Sequence, residues 1–373
     1  MGGVQRVMLD LLKNLPKEKF DLALMLNLYQ GELTAEIPGE IRCIYLAEGK
    51  ESFSKIPLIN KLQLIKRRIK LYFFQLFPQI VYRFKVKERY DIEVASGYAE
   101  YDMVLNSPDK KSRKIAWFHT DVTYDKNQNR AKERIEKMKK FDHTVFCAFH
   151  IRDVIEKKYG VTYPNSSVIY NAVHVEEIRE KAAEFKVEYE KEERPVFCSV
   201  GRLHSRKGYH MLVDVHSRLI KEGFKHTVVI VGDGEEYDNL KKQIEQKKVE
   251  KTIRLLGTKV NPYPYIKSAD YFILPTQSEA YPLVINEALA LEKPIISTDV
   301  GGIPEMITNK KNGILVKYDE EEIYQAMKNF LTQPELVESI IHNVKGSIEK
   351  LNPQKIYDQV TEVFLTQYNK IEK

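Results

Sequence analysis

Pro195-Val-Phe-Cys-Ser-Val-Gly-Arg-Leu-His-Ser-Arg-Lys-Gly208 opens as a continuous apolar run and ends as a basic loop bounded by glycines. Outward from it, residues 195–316 repeat the pattern. Strands are expected at Pro195–Val200, Thr227–Val231, Thr252–Leu256, Tyr271–Leu274 and Pro294–Ser297, with helices near 208–222, 235–248, 262–268 and 282–292. Runs that are apolar at every position suit strands covered on both faces. Strict alternation of such strands with helices defines an α/β, doubly wound parallel sheet, whose ligands collect at the carboxyl ends of the strands.

The first half reads the same way with less contrast. Strand candidates are Phe20–Leu26, Ile41–Tyr45, Ile92–Ser96, Lys114–Phe118, Thr144–Ala148 and Ser167–Tyr170, and a polar stretch from Val175 to Arg194 separates the halves as a hinge region. The expected domains are residues 1–175, residues 176–350, and a C-terminal helix at 351–373 returning to the first domain through Ile356, Val360, Val363 and Phe364. Val4, Val7, Met8, Leu11, Leu12 and Leu15 follow helical spacing from the fourth residue onward, so the first strand of the N-terminal domain is expected to be missing.

At 373 residues, with 43% hydrophobic and 30% charged side chains, the chain is too long for one small binding module and has no disordered or fibrous signature. Cys43, Cys147 and Cys198 are far apart in apolar settings and read as buried free thiols of a reducing compartment. No stretch has the apolar core of a signal peptide or the length of a membrane span, which places the expected protein in the cytoplasm.

The chemistry concentrates at the predicted strand ends. Gly201 lets the backbone approach a ligand, Arg202 offers a planar fork to phosphate oxygens, and Lys207 is a mobile cation before a helix, a set suited to a diphosphate. On these residues alone a solvated basic loop is an equal reading. Glu279-Ala-Tyr-Pro-Leu-Val-Ile-Asn-Glu287 holds two carboxylates; Pro282 suits a first helical turn, so Glu279 lies before the helix and Glu287 inside it among apolar neighbours. A carboxylate so placed needs donors, which sugar hydroxyls or a neighbouring cation could supply.

Arg202 with Lys207, Gly232-Asp-Gly234, Leu255-Leu-Gly257, the Glu279 and Glu287 pair, and Asp299-Val-Gly-Gly-Ile-Pro-Glu305 together resemble the retaining GT-B glycosyltransferases of family 4. Gly2-Gly-Val-Gln-Arg-Val7 is similar to the family's first glycine turn, and Ile169-Tyr-Asn-Ala-Val173 to the segment before its hinge. The resemblance implies the GT-B fold, two Rossmann-like domains facing a central cleft. It implies that Arg202 and Lys207 bind the donor diphosphate, that Glu279 orients the donor sugar, that Glu287 holds the ribose, and that His119, in Trp117-Phe-His-Thr-Asp121, lies near the sugar and phosphate. Gly2, Gly3, Gly201, Gly257, Tyr281, Pro282 and Leu283 complete the implied donor-binding set. Where the family usually has Glu-Gly-Phe-Gly this chain has Glu279-Ala-Tyr-Pro282, a stiffer and bulkier loop, and His174 replaces a common aspartate. No Asp-x-Asp triplet occurs, in keeping with an expected metal-independent site without cofactor.

The acceptor side is carried by charge. Through residue 170 there are 30 Lys+Arg against 21 Asp+Glu, a balance of +9; the remainder has 29 against 32, or −3, which makes the +6 of the whole. Residues 55–90 hold ten of these cations and one acid, interleaved with aromatic and aliphatic side chains. Such a stretch suits an interfacial helix on anionic lipid, each cation adding about 1 kcal/mol, although a helix with an aromatic core face and solvated cations has the same pattern. Nucleic acid is not expected, since no nucleic-acid motif accompanies it. The resulting expectation is a peripheral enzyme on the inner face of the membrane. It moves a hexose from a nucleotide diphosphate sugar, UDP ahead of GDP, to a lipid-linked or glycan acceptor of surface polysaccharide. Alternatives are a GT-B epimerase or phosphorylase, and a non-catalytic partner that only binds sugar nucleotides.

Overall fold

The computed structural model describes residues 3–125, 127–348 and 351–371. The chain divides into two compact units, Met1–Ala172 with Gln354–Lys373, and Val173–Pro353.

The first unit begins with the helix α1 (Gly3–Asn14), followed by β1 (Ala23–Tyr29), β2 (Arg42–Glu48), the 20-residue helix α2 (Pro57–Leu76), β3 (Ile92–Ala95), β4 (Arg113–Phe118), β5 (His143–Phe146) and β6 (Ser166–Val168). Its described strands make two parallel sheets, β1-β2 and β3-β4-β5-β6 in sequential order. β1 starts three residues later than the sequence pattern indicates, because Phe20 leaves the strand to pack edge-on against Phe364 at 5.7 Å. None of the β1 side chains is buried, although the run is apolar, since β2 is the only strand it pairs with among the described residues. The helix Pro353–Tyr368 belongs to this unit and buries Val360 and Phe364, with Tyr357 Oη donating to Asp10 Oδ2 at 2.8 Å.

The second unit carries β7 (Val196–Val200), β8 (Thr227–Val231), β9 (Ile253–Leu255), β10 (Tyr271–Leu274), β11 (Ile295–Thr298) and β12 (Ile314–Val316). They form one parallel sheet in the order β12-β11-β10-β7-β8-β9. β7, β8, β10 and β11 are buried along nearly their whole length between helical layers, the reason their sequences lack polar alternation. The stretch after Val175 is not a plain linker: Val175–Lys181 is helical, and Arg179 binds Glu292 at 3.1 Å within the same unit. None of the three cysteines is in a disulfide among the described residues; Cys147 and Cys198 are buried as expected, whereas Cys43 is only half-buried because it lies on β2 of the two-stranded sheet.

Candidate active site

In the second sheet the chain order reverses between β7 and β10, which are neighbours although two strands and their helices separate them in sequence. Connections leaving these two strands diverge, and a crevice at their carboxyl ends is the ligand position in sheets of this kind. The loops that follow β7 and β10 carry the charged residues singled out above.

The loop after β7 is held from both sides. Gly201 N donates to Val231 O at 3.0 Å and Leu203 N to Asp233 O at 3.0 Å, tying it to the end of β8. Gln277 N donates to Arg206 O at 2.7 Å, tying it to the end of β10. Between them Ser205–Lys207 form one 3-10 turn that ends on Gly208 with φ +70°, where a Cβ would stand 1.8 Å from Pro275 O. Only glycine fits that approach. The loop after β10 is clamped likewise: Gly302 N donates to Ala280 O at 2.9 Å, and a Cβ on Gly301, φ +57°, would meet Glu279 O at 1.6 Å.

These clamps bring Lys207 and Glu279 together across the switch point. Lys207 Nζ donates to Glu279 Oε1, and both side chains are largely withdrawn from water, where a charge pair is far stronger than at an exposed surface. Gly201 lies beside them; a Cβ there would press on Tyr209 Oη at 2.9 Å. Burial pushes the Tyr209 hydroxyl pKa up, so it is a neutral hydrogen-bonding group next to the pair.

Arg202 is not part of that pair. Its side chain is 72% exposed and binds Glu235, Nη2 to Oε2 at 3.1 Å, on the loop after β8. His204 Nε2 lies 3.4 Å from the other oxygen of Glu235. A backbone N–H, then Arg202 and His204, hold the Glu235 carboxyl below its usual range. Glu287 sits in the helix Leu283–Ala290, capped by Pro282, and is 7% exposed. Tyr263 Oη donates to Glu287 Oε1 at 3.2 Å, so the carboxylate has a hydroxyl donor before any ligand arrives. Tyr281 and Leu283 are half-buried beside it and Pro282 is buried. Gly257 lies two residues past the edge strand β9, itself two strands from β7, with φ +68°, and its carbonyl accepts from Gly232 N at 2.9 Å.

His119 lies in the first unit, immediately after β4, its ring stacked on Trp117 with centroids 5.8 Å apart. Its Nε2 is buried and has no hydrogen-bond partner among the described residues, as is also true of Trp117 Nε1. Burial lowers the His119 pKa to about 4, so the ring is neutral near pH 7. Gly3 is the first residue of α1, and Gly2 lies outside the described residues. Sequence reasoning missed Glu235, Tyr209 and Tyr263. For Glu235 a signal existed, since it directly follows the Gly232-Asp-Gly234 turn; the pairing of Tyr263 with Glu287 is made only by the fold.

A doubly wound sheet with cationic and carboxylate loops meeting at its switch point defines a ligand crevice, and comparison with known proteins gives the class. Residues 1–177 match the profile described as Glycosyltransferase Family 4, and residues 180–347 that described as Glycosyl transferases group 1. The chain is 28% identical over 209 residues to the Campylobacter jejuni N-acetylgalactosamine-N,N'-diacetylbacillosaminyl-diphospho-undecaprenol 4-alpha-N-acetylgalactosaminyltransferase, covering 56% of this chain and 55% of that enzyme. It is 24% identical to the Escherichia coli UDP-Gal:alpha-D-GlcNAc-diphosphoundecaprenol alpha-1,3-galactosyltransferase, covering 98% of this chain and 94% of that one. In several of these matches, the first included, the chain spans about half the length of the curated relative. Among solved structures, Anabaena HepE in complex with UDP superposes with a TM-score of 0.75 at 17% identity, covering 98% of this chain and 96% of that one. The lipopolysaccharide outer core galactosyltransferase WaaB gives 0.69 at 18% identity, with 98% and 96% covered. The chain has the GT-B fold and belongs to the family 4-like glycosyltransferases.

Proposed function

We propose that this chain transfers a hexose from a UDP-sugar, with retention of configuration, to a lipid-linked or glycan acceptor in the assembly of a surface polysaccharide. The observation that carries the reading is the Lys207–Glu279 pair, fixed at the switch point of the second sheet. Galactosyl and N-acetylgalactosaminyl transfer to sugars carried on diphospho-undecaprenol in the named relatives, and the UDP bound to HepE, support the donor and acceptor classes.

In this reading Lys207 and Arg202 face the diphosphate. As the bond from the sugar C1 to the phosphate oxygen breaks, the electron pair stays on that oxygen, and the two cations stabilise the charge in place of a metal ion. The acceptor hydroxyl attacks C1 from the face the phosphate leaves, and its proton passes to the departing phosphate. Glu279, already oriented by Lys207, accepts from hydroxyls of the donor sugar, and Glu287 accepts from the ribose alongside Tyr263. His119 is in this reading a neutral hydrogen-bonding group for the sugar or phosphate. A lipid-linked acceptor sets the reaction at the inner face of an anionic membrane, reached through residues 55–90.

A thermal-shift titration with UDP, GDP and ADP tests the donor reading. UDP is expected to raise the melting temperature most, and Arg202→Ala to reduce that rise. No stabilisation by any of the three would overturn it.

A further inference from the structure

We propose that α2 is an interfacial helix that lies in the surface of an anionic lipid bilayer, deepening the membrane side of the proposed function by naming the surface that makes the contact. The helix runs 20 residues from Pro57 to Leu76, about 30 Å, and buries none of them. Its inner face is fastened to its own unit. Leu71 and Phe74 pack on the cluster of Ile44, Leu46, Val81 and Val86, Arg67 donates to Glu48 O at 3.2 Å, and Asn60 and Gln63 bond the backbone of Ser54.

The outer face is apolar and open. Leu58, Leu62, Ile65, Ile69, Tyr72 and Leu76 follow one another at spacings of four and three, one unbroken stripe along the helix, and they are 48–70% exposed. A largely apolar stripe of that length facing water is unfavourable unless something covers it. At 100° per residue Lys61 and Arg68 lie along one edge of the stripe and Lys66 and Lys70 along the other. Among the described residues no acidic side chain pairs with Lys61, Lys66 or Arg68. Past Pro78 the same character continues in Arg83 and the exposed Phe84.

Charge decides what covers the stripe. A second copy of the helix would set a rim of cations against a rim of cations with no acid between them, whereas an anionic bilayer accepts the stripe among its acyl chains and the rims among its headgroups. No helix among the described residues is long and apolar enough to cross a membrane, so α2 lies on the bilayer and does not span it.

The test is co-sedimentation of the full chain with vesicles of phosphatidylcholine alone and of phosphatidylcholine mixed with phosphatidylglycerol. Binding to the mixed vesicles only, weakened by salt, is expected. Lys61→Ala with Arg68→Ala should lower partitioning about 25-fold, roughly fivefold per cation, and Leu62→Ser with Ile69→Ser by roughly tenfold or more. All four positions are exposed, and an unchanged melting temperature and UDP-induced shift in each variant show that fold and donor site persist; loss of the UDP shift in the unaltered chain counts against the donor reading and not against α2. Equal binding to both vesicles, no binding to either, or undiminished binding by Leu62→Ser with Ile69→Ser overturns the proposal. So does a concentration-dependent dimer in light scattering that the serine variant dissolves, which gives the stripe to a second copy.

Discussion

Two stretches of this chain set cations beside apolar neighbours, residues 201–208 and residues 57–86, and they end in opposite states. In the loop after β7 the key cations have carboxylates: Lys207 holds Glu279 and Arg202 holds Glu235. The backbone around them is fixed by glycines that no other residue can replace. Among the described residues no acid answers Lys61, Lys66 or Arg68 along the outer face of α2, and none covers the apolar residues between these cations. The lesson lies in the counter-charge. A cation that is already paired in a tight crevice is positioned for one small anion at a defined point, while unpaired cations along an open stripe suit an extended anionic surface.

The comparison breaks first at Lys207. If the pair is the donor site, Lys207→Ala should lower kcat by about 100- to 1000-fold, the usual loss when a preorganised charge at a leaving group is removed. It also leaves Glu279 without its partner, so Glu279→Gln in the same background should recover stability but not rate. Steady-state kinetics with a UDP-sugar and thermal melting separate the two effects. Retained activity in Lys207→Ala would make the loop a mere scaffold. Next in size is Gly301→Ala, whose Cβ cannot occupy a point 1.6 Å from the Glu279 carbonyl. The 279–282 loop must move, at a cost of about 3 kcal/mol in unfolding free energy measured in denaturant.

The scaffold beneath the loop sharpens the same contrast. His216, on the helix after the basic loop, and His226 share a hydrogen bond of 2.8 Å, with Thr252 Oγ1 at 2.9 Å on one side and Phe224 O at 2.8 Å on the other. Burial holds both rings well below their usual value of about 6.5, at about 3 for His216 and about 4 for His226, and each partner site is filled by the neutral tautomers. In the unfolded chain both protonate as pH falls through about 6.5. Stability is therefore full above that value and is lost on acidification until each folded ring protonates, at about 4 for His226 and about 3 for His216, by roughly 2 kcal/mol between pH 7 and 5.5. Urea titrations at the two pH values check the slope, and His226→Phe should flatten it.

The second unit was legible because its strands are buried on both faces, which leaves uninterrupted apolar runs ending at charged loops. β12 escaped notice because Ile314–Val316 is three residues long and resembles any short apolar patch. Arg202 was rightly placed at a strand end, but the residue holding it, Glu235, comes from the neighbouring strand and becomes visible only through the β7–β8 register. In the first unit the pattern on α2 fitted both a core face and a surface stripe. Periodicity states which residues share a side, not which side faces the protein, and only the packing of Leu71 and Phe74 decides it.

The smallest expected effect concerns the first unit's own candidate, His119. Its ring lies against Trp117 with Nε2 buried and unpaired, and burial alone lowers its pKa to about 4. The ring therefore acts as a neutral hydrogen-bonding group and not as a cation. The rate should then show no histidine inflection between pH 5 and 8. His119→Asn, which keeps a neutral polar group, should lower the rate by no more than about tenfold at every pH without changing the shape of the profile. An inflection near pH 6.5 in the unaltered chain that disappears in His119→Asn would mean that the ring titrates as it does in water, about 6.5, and would overturn the neutral reading.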